Sequence, residues 1–493
     1  MKTLKQVKAA LARGANAVPL VREMPADTLT PVAAFLRLAE RRRPSFLLES
    51  VEGGERLARY SFLGTDPFET LTVENGAAVA RNAAGRAESL PGNPFSALGK
   101  RIAAYRAPLE PGLPRFCGGA VGTVDYEMVR YLEPSVRLAT AENPEAKLHV
   151  FKNVVAFDHV RHRMLLIANV ISNGNVSAAY RAACRALDEM QARLSRPRRE
   201  SQRRAVGRPK SVKEPEAALG RRSFSAGVER LKAHIRAGDI FQGVLSDRFE
   251  TSLSCEPFSV YRALRAVNPS PYMFFLGDSE EAVLGASPEM LVRVEDGAVE
   301  TRPIAGTRPR GRDEAEDLRL ERSLLASVKE RAEHVMLVDL GRSDVGRVAR
   351  PGSVTVPSYM QVERYSHVMH LVSSVRGRLR SGVSPWEAFA ACFPAGTVSG
   401  APKIRAMQLI SEIERVPRGL YAGAVVYYGF GGTLDSAIAI RSLSVRRVAG
   451  KRRARFQAGA GIVADSNAGR EREELMNKSR AMREAIRLAQ AAA

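Results

Sequence analysis

The chain has 493 residues, 45% of them hydrophobic and 26% charged, with 39 glycines and 27 prolines. That balance excludes a disordered chain, a collagen-like fibre and a coiled coil, and the length suits two domains or one large one with a sizeable core. Charge is the unusual property: 75 Lys and Arg against 53 Asp and Glu give +22 at pH 7, a field that attracts small dianions without identifying them.

Four cysteines (Cys117, Cys184, Cys255 and Cys392) are too sparse for a disulfide scaffold and too far apart for a metal knuckle. They point to a reducing, cytoplasmic compartment. The opening MKTLKQVKAALARGANAVPL spreads its charges and lacks a secretory apolar core. No run reaches the roughly 18 apolar residues of a membrane span, so no membrane partner is expected.

In chain order, helices are expected over 30–43 and 176–194, with short apolar runs at 45–48, 148–157 and 164–170 between them. Residues 150–157 and 164–170 read as two adjacent strands joined by the polar turn DHVRHR. Residues 193–213 hold nine basic residues and one acid, together with Pro197, Gly207 and Pro209, and read as a solvated linker. The competing reading is a basic arm for nucleic acid. It lacks interleaved aromatics, zinc spacing and an RNP-like signature, so nucleic acid is not the expected partner. The chain divides into 1–192, a linker at 193–219, and 220–493. Past the linker, an amphipathic helix over 223–237 stops at Gly238-Asp239, and long helices are expected within 315–341 and over 470–492. The irregular order of strands and helices, without a fixed repeat, favours an α+β fold with antiparallel sheets.

Two helical segments carry paired carboxylates. Glu330 and Glu333 are spaced i, i+3, as are Glu471 and Glu474, with Lys478 one turn beyond Glu474. The two faces brought together would suit Mg²⁺, whereas either alone is more simply a solvated face. The glycine string at 396–403 departs from a phosphate loop because Ala401-Pro402 precede Lys403. AGAGIV at 458–463 reads either as a tight strand-to-helix turn or as backbone open to an anion. His334, His367 and His370 share this half, so one imidazole is available for proton transfer, or all are structural. No triad or nucleophile-elbow signature suggests covalent catalysis.

Taken together these strings resemble the anthranilate synthase component I family, the large subunits among chorismate-utilising enzymes. The matching segments include LLESVEGGERLARYSFLG (47–64), AGDIFQGVLSDRF (237–249), NPSPYMFF (268–275), GASPEMLVRV (285–294), RPIAGTRPRG (302–311), ERAEHVMLVDLGRSDVGRV (330–348), FPAGTVSGAPKIRAM (393–407) and QAGAGIVADS (457–466). They stand in the family's order over nearly the whole chain. The resemblance implies a largely antiparallel β-sandwich flanked by helices, with 1–192 regulatory and structural and 220–493 catalytic. It implies conversion of chorismate and ammonia to anthranilate and pyruvate, with Mg²⁺. Glu333 and Glu474 would hold the ion, supported by Glu330 and Glu471. Glu289 would be the acid that helps the C4 hydroxyl leave, and His370 would handle a proton in pyruvate elimination. Tyr421, Arg441 and the backbone at Gly459, Ala460 and Gly461 would bind the enolpyruvyl carboxylate, while Thr397 and Lys478 would contact the ring-carboxylate end.

Two positions separate the sister activities. Aminodeoxychorismate synthases carry a nucleophilic Lys where this chain has Ala305, and isochorismate synthases a Lys where it has Gln242. Both substitutions favour anthranilate. Leu48, Glu49 and Ser50, with Asn268, Pro269, Ser270, Pro271, Tyr272 and Met273, resemble the family's tryptophan feedback pocket. Ser343, Val398 and Gly243 depart from common family residues without removing a proposed catalytic group. No cysteine lies in a GxCxGxQ-like elbow, so a glutamine amidotransferase subunit, component II, is the expected source of ammonia.

Overall fold

A computed structural model describes residues 1–40, 42–50, 59–139, 144–172, 174–196, 215–278, 280–365 and 368–492. Most of the basic segment 193–213, and His367, lie outside the described residues. Among those described, the strands form two twelve-stranded sheets. The first runs Ala17–Pro25, Arg163–Ile171, Asn153–Asp158, Tyr60–Thr65, Ser45–Glu49, Tyr272–Gly277, Glu281–Ser287, Ser442–Val448, Lys451–Ile462, Gln242–Leu253, Glu216–Ala217, with Gly400–Ala401 also paired to Gln242–Leu253. The second runs Ile304–Pro309, Val368–Arg378, Ala298–Thr301, Met290–Glu295, Leu434–Ile438, Ala424–Gly429, Gly119–Val124, Ala146–Phe151, Glu69–Glu74, Ala77–Asn82, Ala87–Leu90, with Thr355–Arg364 also paired to Val368–Arg378. Neighbours pair antiparallel, as the α+β reading expected. Both sheets combine strands from before and after 193–219: Leu48 is opposite Phe274 in one, and Val426 opposite Gly122 in the other.

The sheets face each other across a layer of large side chains. Phe46, Phe62, Val154, Leu165 and Phe274 from the first meet Val121, Phe151 and Tyr427 from the second, with Phe116 from the loop before Gly119–Val124. Phe46 and Phe151 meet edge to face at 4.7 Å, and burying each such ring stabilises by roughly 2 kcal/mol. The alternate residues of the same strands (Leu47, Leu63, Val155, Leu166) point outward into a second core beneath Pro31–Leu38, Val176–Ser195, Gly220–Arg236, Pro257–Val267 and Ala468–Ala491. Pro94–Ala103, Val328–Gly346 and Pro385–Cys392 cover the outer face of the second sheet. A strand buried on both faces reads as a continuous apolar run, which is why MLLIANV shows no alternation.

Several expected elements take different bounds. Residues 150–157 are not one strand: Ala146–Phe151 belongs to the second sheet and Asn153–Asp158 to the first. The chain changes sheets at Lys152, whose carbonyl accepts from the Asn169 backbone N–H and Nδ2, both at 2.9 Å. The helix expected within 315–341 is two, Glu314–Ala326 and Val328–Gly346. Ser327 separates them and caps the second by accepting from Glu330 N. The helix opened by Thr30 ends at Leu38. AGAGIV is not a strand-to-helix turn, because residues up to Ile462 continue the strand, with Gly461 opposite Val244. The turn comes later and ends at Asn467, which caps Ala468–Ala491.

Candidate active site

The chain passes between the sheets at two neighbouring points, and each delivers a polar side chain. Glu289 lies between Glu281–Ser287 and Met290–Glu295; Arg441 lies between Leu434–Ile438 and Ser442–Val448. The two crossings are tied, since Ile438 N donates to the Glu289 carbonyl at 3.0 Å and Ala286 N to the Arg441 carbonyl at 3.1 Å. Arg441 holds a left-handed φ of 49°, a conformation costing about 1 kcal/mol or more that these ties maintain.

Glu289 is 8% exposed. Burial pushes its carboxyl up to about 8, against the opposing pull of Thr397, Lys478 and Arg441. Burial also lowers the Arg441 guanidinium, with Glu289 opposing. Thr397 Oγ1 is buried beside Glu289, close enough to steady the carboxylate but short of a well-formed hydrogen bond.

Facing these groups is the strand Lys451–Ile462. Gly459 and Gly461 share one face, and neither position has room for a Cβ: at Gly459 it would strike the Tyr421 hydroxyl, at Gly461 the Gln242 amide. Lys478 reaches back from Ala468–Ala491 to donate to the Gly459 carbonyl at 3.1 Å and pairs with Glu474 at 2.7 Å. Gln242, Tyr421, Gly459, Gly461 and Lys478 therefore meet along one strand, and Glu289, Thr397 and Arg441 connect to them through Lys478.

His370 Nδ1 is 3.0 Å from the Gly306 carbonyl and 3.0 Å from Thr307 Oγ1. A carbonyl accepts only, so Nδ1 carries the proton and Nε2 is left as a base. Burial lowers its pKa, Arg441 adding to the effect against the Gly306 hydrogen bond. Ala305 lies opposite Leu371 on the adjoining strand. His334, by contrast, is a core residue bonded to Ser373 Oγ at 2.6 Å. Lys403, from the glycine string, pairs with Asp344 at 2.8 Å.

The carboxylates expected to hold a metal come from two helices, Val328–Gly346 and Ala468–Ala491. Glu333 is raised by burial first, then by Glu330, with Glu474 adding to it. Glu471 is raised by burial and by Glu474, while Ser466 opposes. Among the described residues no three metal-ligating side chains stand in ligating geometry. Carboxylates close enough to raise one another's pKa nonetheless fit a divalent cation, which would remove that repulsion. Glu330 pairs with Arg308 at 3.3 Å and Glu474 with Lys478 at 2.7 Å, so a cation held here would compete with both ion pairs.

A second cavity opens between the sheets. Its lining includes Leu48, Glu49, Ser50, Pro271, Tyr272 and Met273, so LLES and NPSPYM meet as expected, whereas Asn268, Pro269 and Ser270 do not line it. Asn268 instead caps Pro257–Val267. The polar wall, which the sequence did not suggest, is Arg293 paired with Asp435 at 2.7 Å, with the Tyr272 hydroxyl at 3.2 Å from Asp435. Arg115 Nε and the Tyr427 hydroxyl are buried beside them without a partner among the described residues. No short motif could reveal that they line one cavity, since the residues come from four separate strands and loops.

No helix among the described residues is long and apolar enough to cross a membrane. A family model described as chorismate binding enzyme matches residues 43–484. Anthranilate synthase component 1 of Acetivibrio thermocellus is 43% identical over 489 residues, covering 98% of each chain. That of Pseudomonas aeruginosa is 44% identical over 490 residues, covering 97% of each. Among solved structures, anthranilate synthase component I from Streptococcus pneumoniae superposes with a TM-score of 0.77 at 36% identity, over 93% of this chain and 99% of that one. The menaquinone-specific isochorismate synthase MenF from Escherichia coli shares the fold, with a TM-score of 0.70 at 18% identity over 98% of each chain. The chain belongs to the chorismate binding enzyme family.

Proposed function

We propose that this chain is the large, chorismate-binding subunit of an anthranilate synthase, converting chorismate and ammonia to anthranilate and pyruvate. The observation that carries the reading is Glu289, a carboxyl that keeps its proton into the neutral range beside Thr397, Lys478 and Arg441. Chorismate brings two carboxylates and a hydroxyl that must leave as water. Arg441, Tyr421 and the Gly459 to Gly461 backbone take the enolpyruvyl carboxylate; Lys478 and Thr397 orient the ring end. Ammonia bonds at C2 and sheds a proton to solvent as the ring double bonds shift and the C4–O bond breaks, Glu289 giving its proton so that water leaves. His370 Nε2 then takes the C2 proton as the C3–O bond breaks; the ring becomes aromatic, and the enolpyruvate released takes up a proton to become pyruvate. Mg²⁺ held by Glu333 and Glu474, with Glu330 and Glu471 in support, would neutralise the ring carboxylate.

Ala305 has no nucleophile to form the adduct of an aminodeoxychorismate synthase, and Gln242 is no base for water, so ammonia is the matching nucleophile. The similarity to proteins named component 1 supports a second component, a glutamine amidotransferase that supplies ammonia. The aromatic walls and open donors of the inter-sheet cavity support tryptophan as a feedback inhibitor bound there. Leu434–Ile438 joins that cavity, at Asp435 and Ala437, to Ile438 and its bond to Glu289. The four cysteines are free, which supports a reducing cytoplasm. Chromatography of the product formed from chorismate, ammonium and Mg²⁺ tests the assignment. Anthranilate is expected, and 4-amino-4-deoxychorismate or isochorismate as the main product would overturn it.

A further inference from the structure

Arg418 lies three residues before Tyr421, and its side chain is 1% exposed. Its guanidinium is used in every direction. Nε and Nη2 grip the two oxygens of Glu414, each at 2.8 Å. Nη1 donates to the Val398 carbonyl at 2.8 Å and Nη2 to the Val244 carbonyl at 2.7 Å. Its carbon lies 4.9 Å from the Tyr126 ring centroid and 5.4 Å from that of Tyr421. Glu414 is fixed in turn by Ser246 N at 2.9 Å and Ser246 Oγ at 2.8 Å. Glu127, from the first part of the chain, accepts from Arg418 N at 2.8 Å and Gly419 N at 2.9 Å, so the backbone is held as firmly as the side chain.

Each partner adjoins a group placed in the substrate site. Val398 follows Thr397; Val244 lies two residues beyond Gln242 and opposite Gly461; the stacked ring is Tyr421 itself. We propose that Arg418 is a positioning residue for the carboxylate-binding end of the site, one planar cation that holds Thr397, Gln242 and Tyr421 in a single arrangement. The proposal rests on the reading of those three as chorismate-contacting. Lysine would keep the charge opposite Glu414 but has no plane to stack and cannot span two carbonyls and a bidentate carboxylate at once.

The test is a cycle of Arg418→Lys, Tyr421→Phe and the double variant in the full chain, assayed with ammonium and varied chorismate. Both single variants are expected to raise the KM for chorismate about tenfold or more, with kcat within about threefold of wild type and the KM for ammonium unchanged. The double variant is expected to fall short of the product of the two single effects, because Tyr421 is one of the three groups that Arg418 places. A merely structural Arg418 would lower thermal stability and active fraction and leave the KM unmoved. A flat KM in Arg418→Lys, or effects that simply multiply in the double variant, overturns the proposal while the site reading stands. A flat KM in Tyr421→Phe overturns the site reading and the proposal with it. Should Arg418→Lys fail to fold, Glu414→Gln takes its place, and an unchanged KM in that variant is equally contrary.

Discussion

The proposed acid role requires Glu289 to carry a proton at a pH where chorismate is a dianion, and burial is what raises its carboxyl. Its carboxyl, pushed up to about 8 in the free protein, is expected to set the alkaline limb of kcat/KM near that value. Glu289→Gln is expected to lower kcat by about 10²- to 10⁴-fold and to abolish that limb. Stability follows the same proton. The folded protein binds it more tightly than the unfolded chain, so its contribution to stability is present at low pH. It is lost as pH rises from the ordinary carboxylate value through about 8. Thermal melts of Glu289→Gln should therefore lie above wild type at pH 9, with the gap closing by pH 5; a constant gap would contradict the raised pKa. The residue itself was legible, because SPE and its neighbours carry the family resemblance. The cause of its acidity was not, because the burial comes from strands far apart in sequence. Arg418 was missed for a related reason: its carbonyl partners lie 20 and 174 residues away, and no local spacing marks them.

At the scale of elements, two helices bring carboxylates together, and Glu333 is raised by burial first, then by Glu330 on its own helix, with Glu474 of the other adding to it. Glu333→Ala and Glu474→Ala should each lose Mg²⁺-dependent turnover. Without metal they should melt at or slightly above the wild-type temperature, because each relieves like-charge crowding. Activity retained in both would remove the metal assignment, and a melt several degrees lower in both would recast the pair as structural. The i, i+3 spacing was visible in the sequence, but the meeting of the two helices was not, since one packs on the second sheet and the other on the first. Strand bounds were hidden by the sandwich itself. Where a run such as 148–157 stays apolar while changing sheets, only Lys152 and the distant Asn169 that caps its carbonyl record the change. The glycines at 459 and 461 look like a turn, yet they are strand positions kept bare for Tyr421 and Gln242.

For the molecule as a whole, the two parts of the chain share both sheets, and Glu127 of the first holds the loop that carries Arg418 and Tyr421 of the second. One cooperative thermal transition is expected; two separated transitions would show that 1–192 and 220–493 fold independently. The same continuity gives an inhibitor between the sheets a short path to Glu289. Ser50→Phe places a ring in that cavity and should relieve tryptophan inhibition by about tenfold or more with kcat little changed; unchanged sensitivity would remove the regulatory reading. The most direct measurement is anthranilate fluorescence over time with the purified chain, chorismate and Mg²⁺ at mildly alkaline pH. One sample receives ammonium, one receives glutamine, and one receives ammonium without metal. Emission should grow with ammonium and Mg²⁺ together and stay near baseline in the other two. Loss of chorismate without emission, or equal emission from glutamine, would contradict an ammonia-dependent anthranilate synthase subunit.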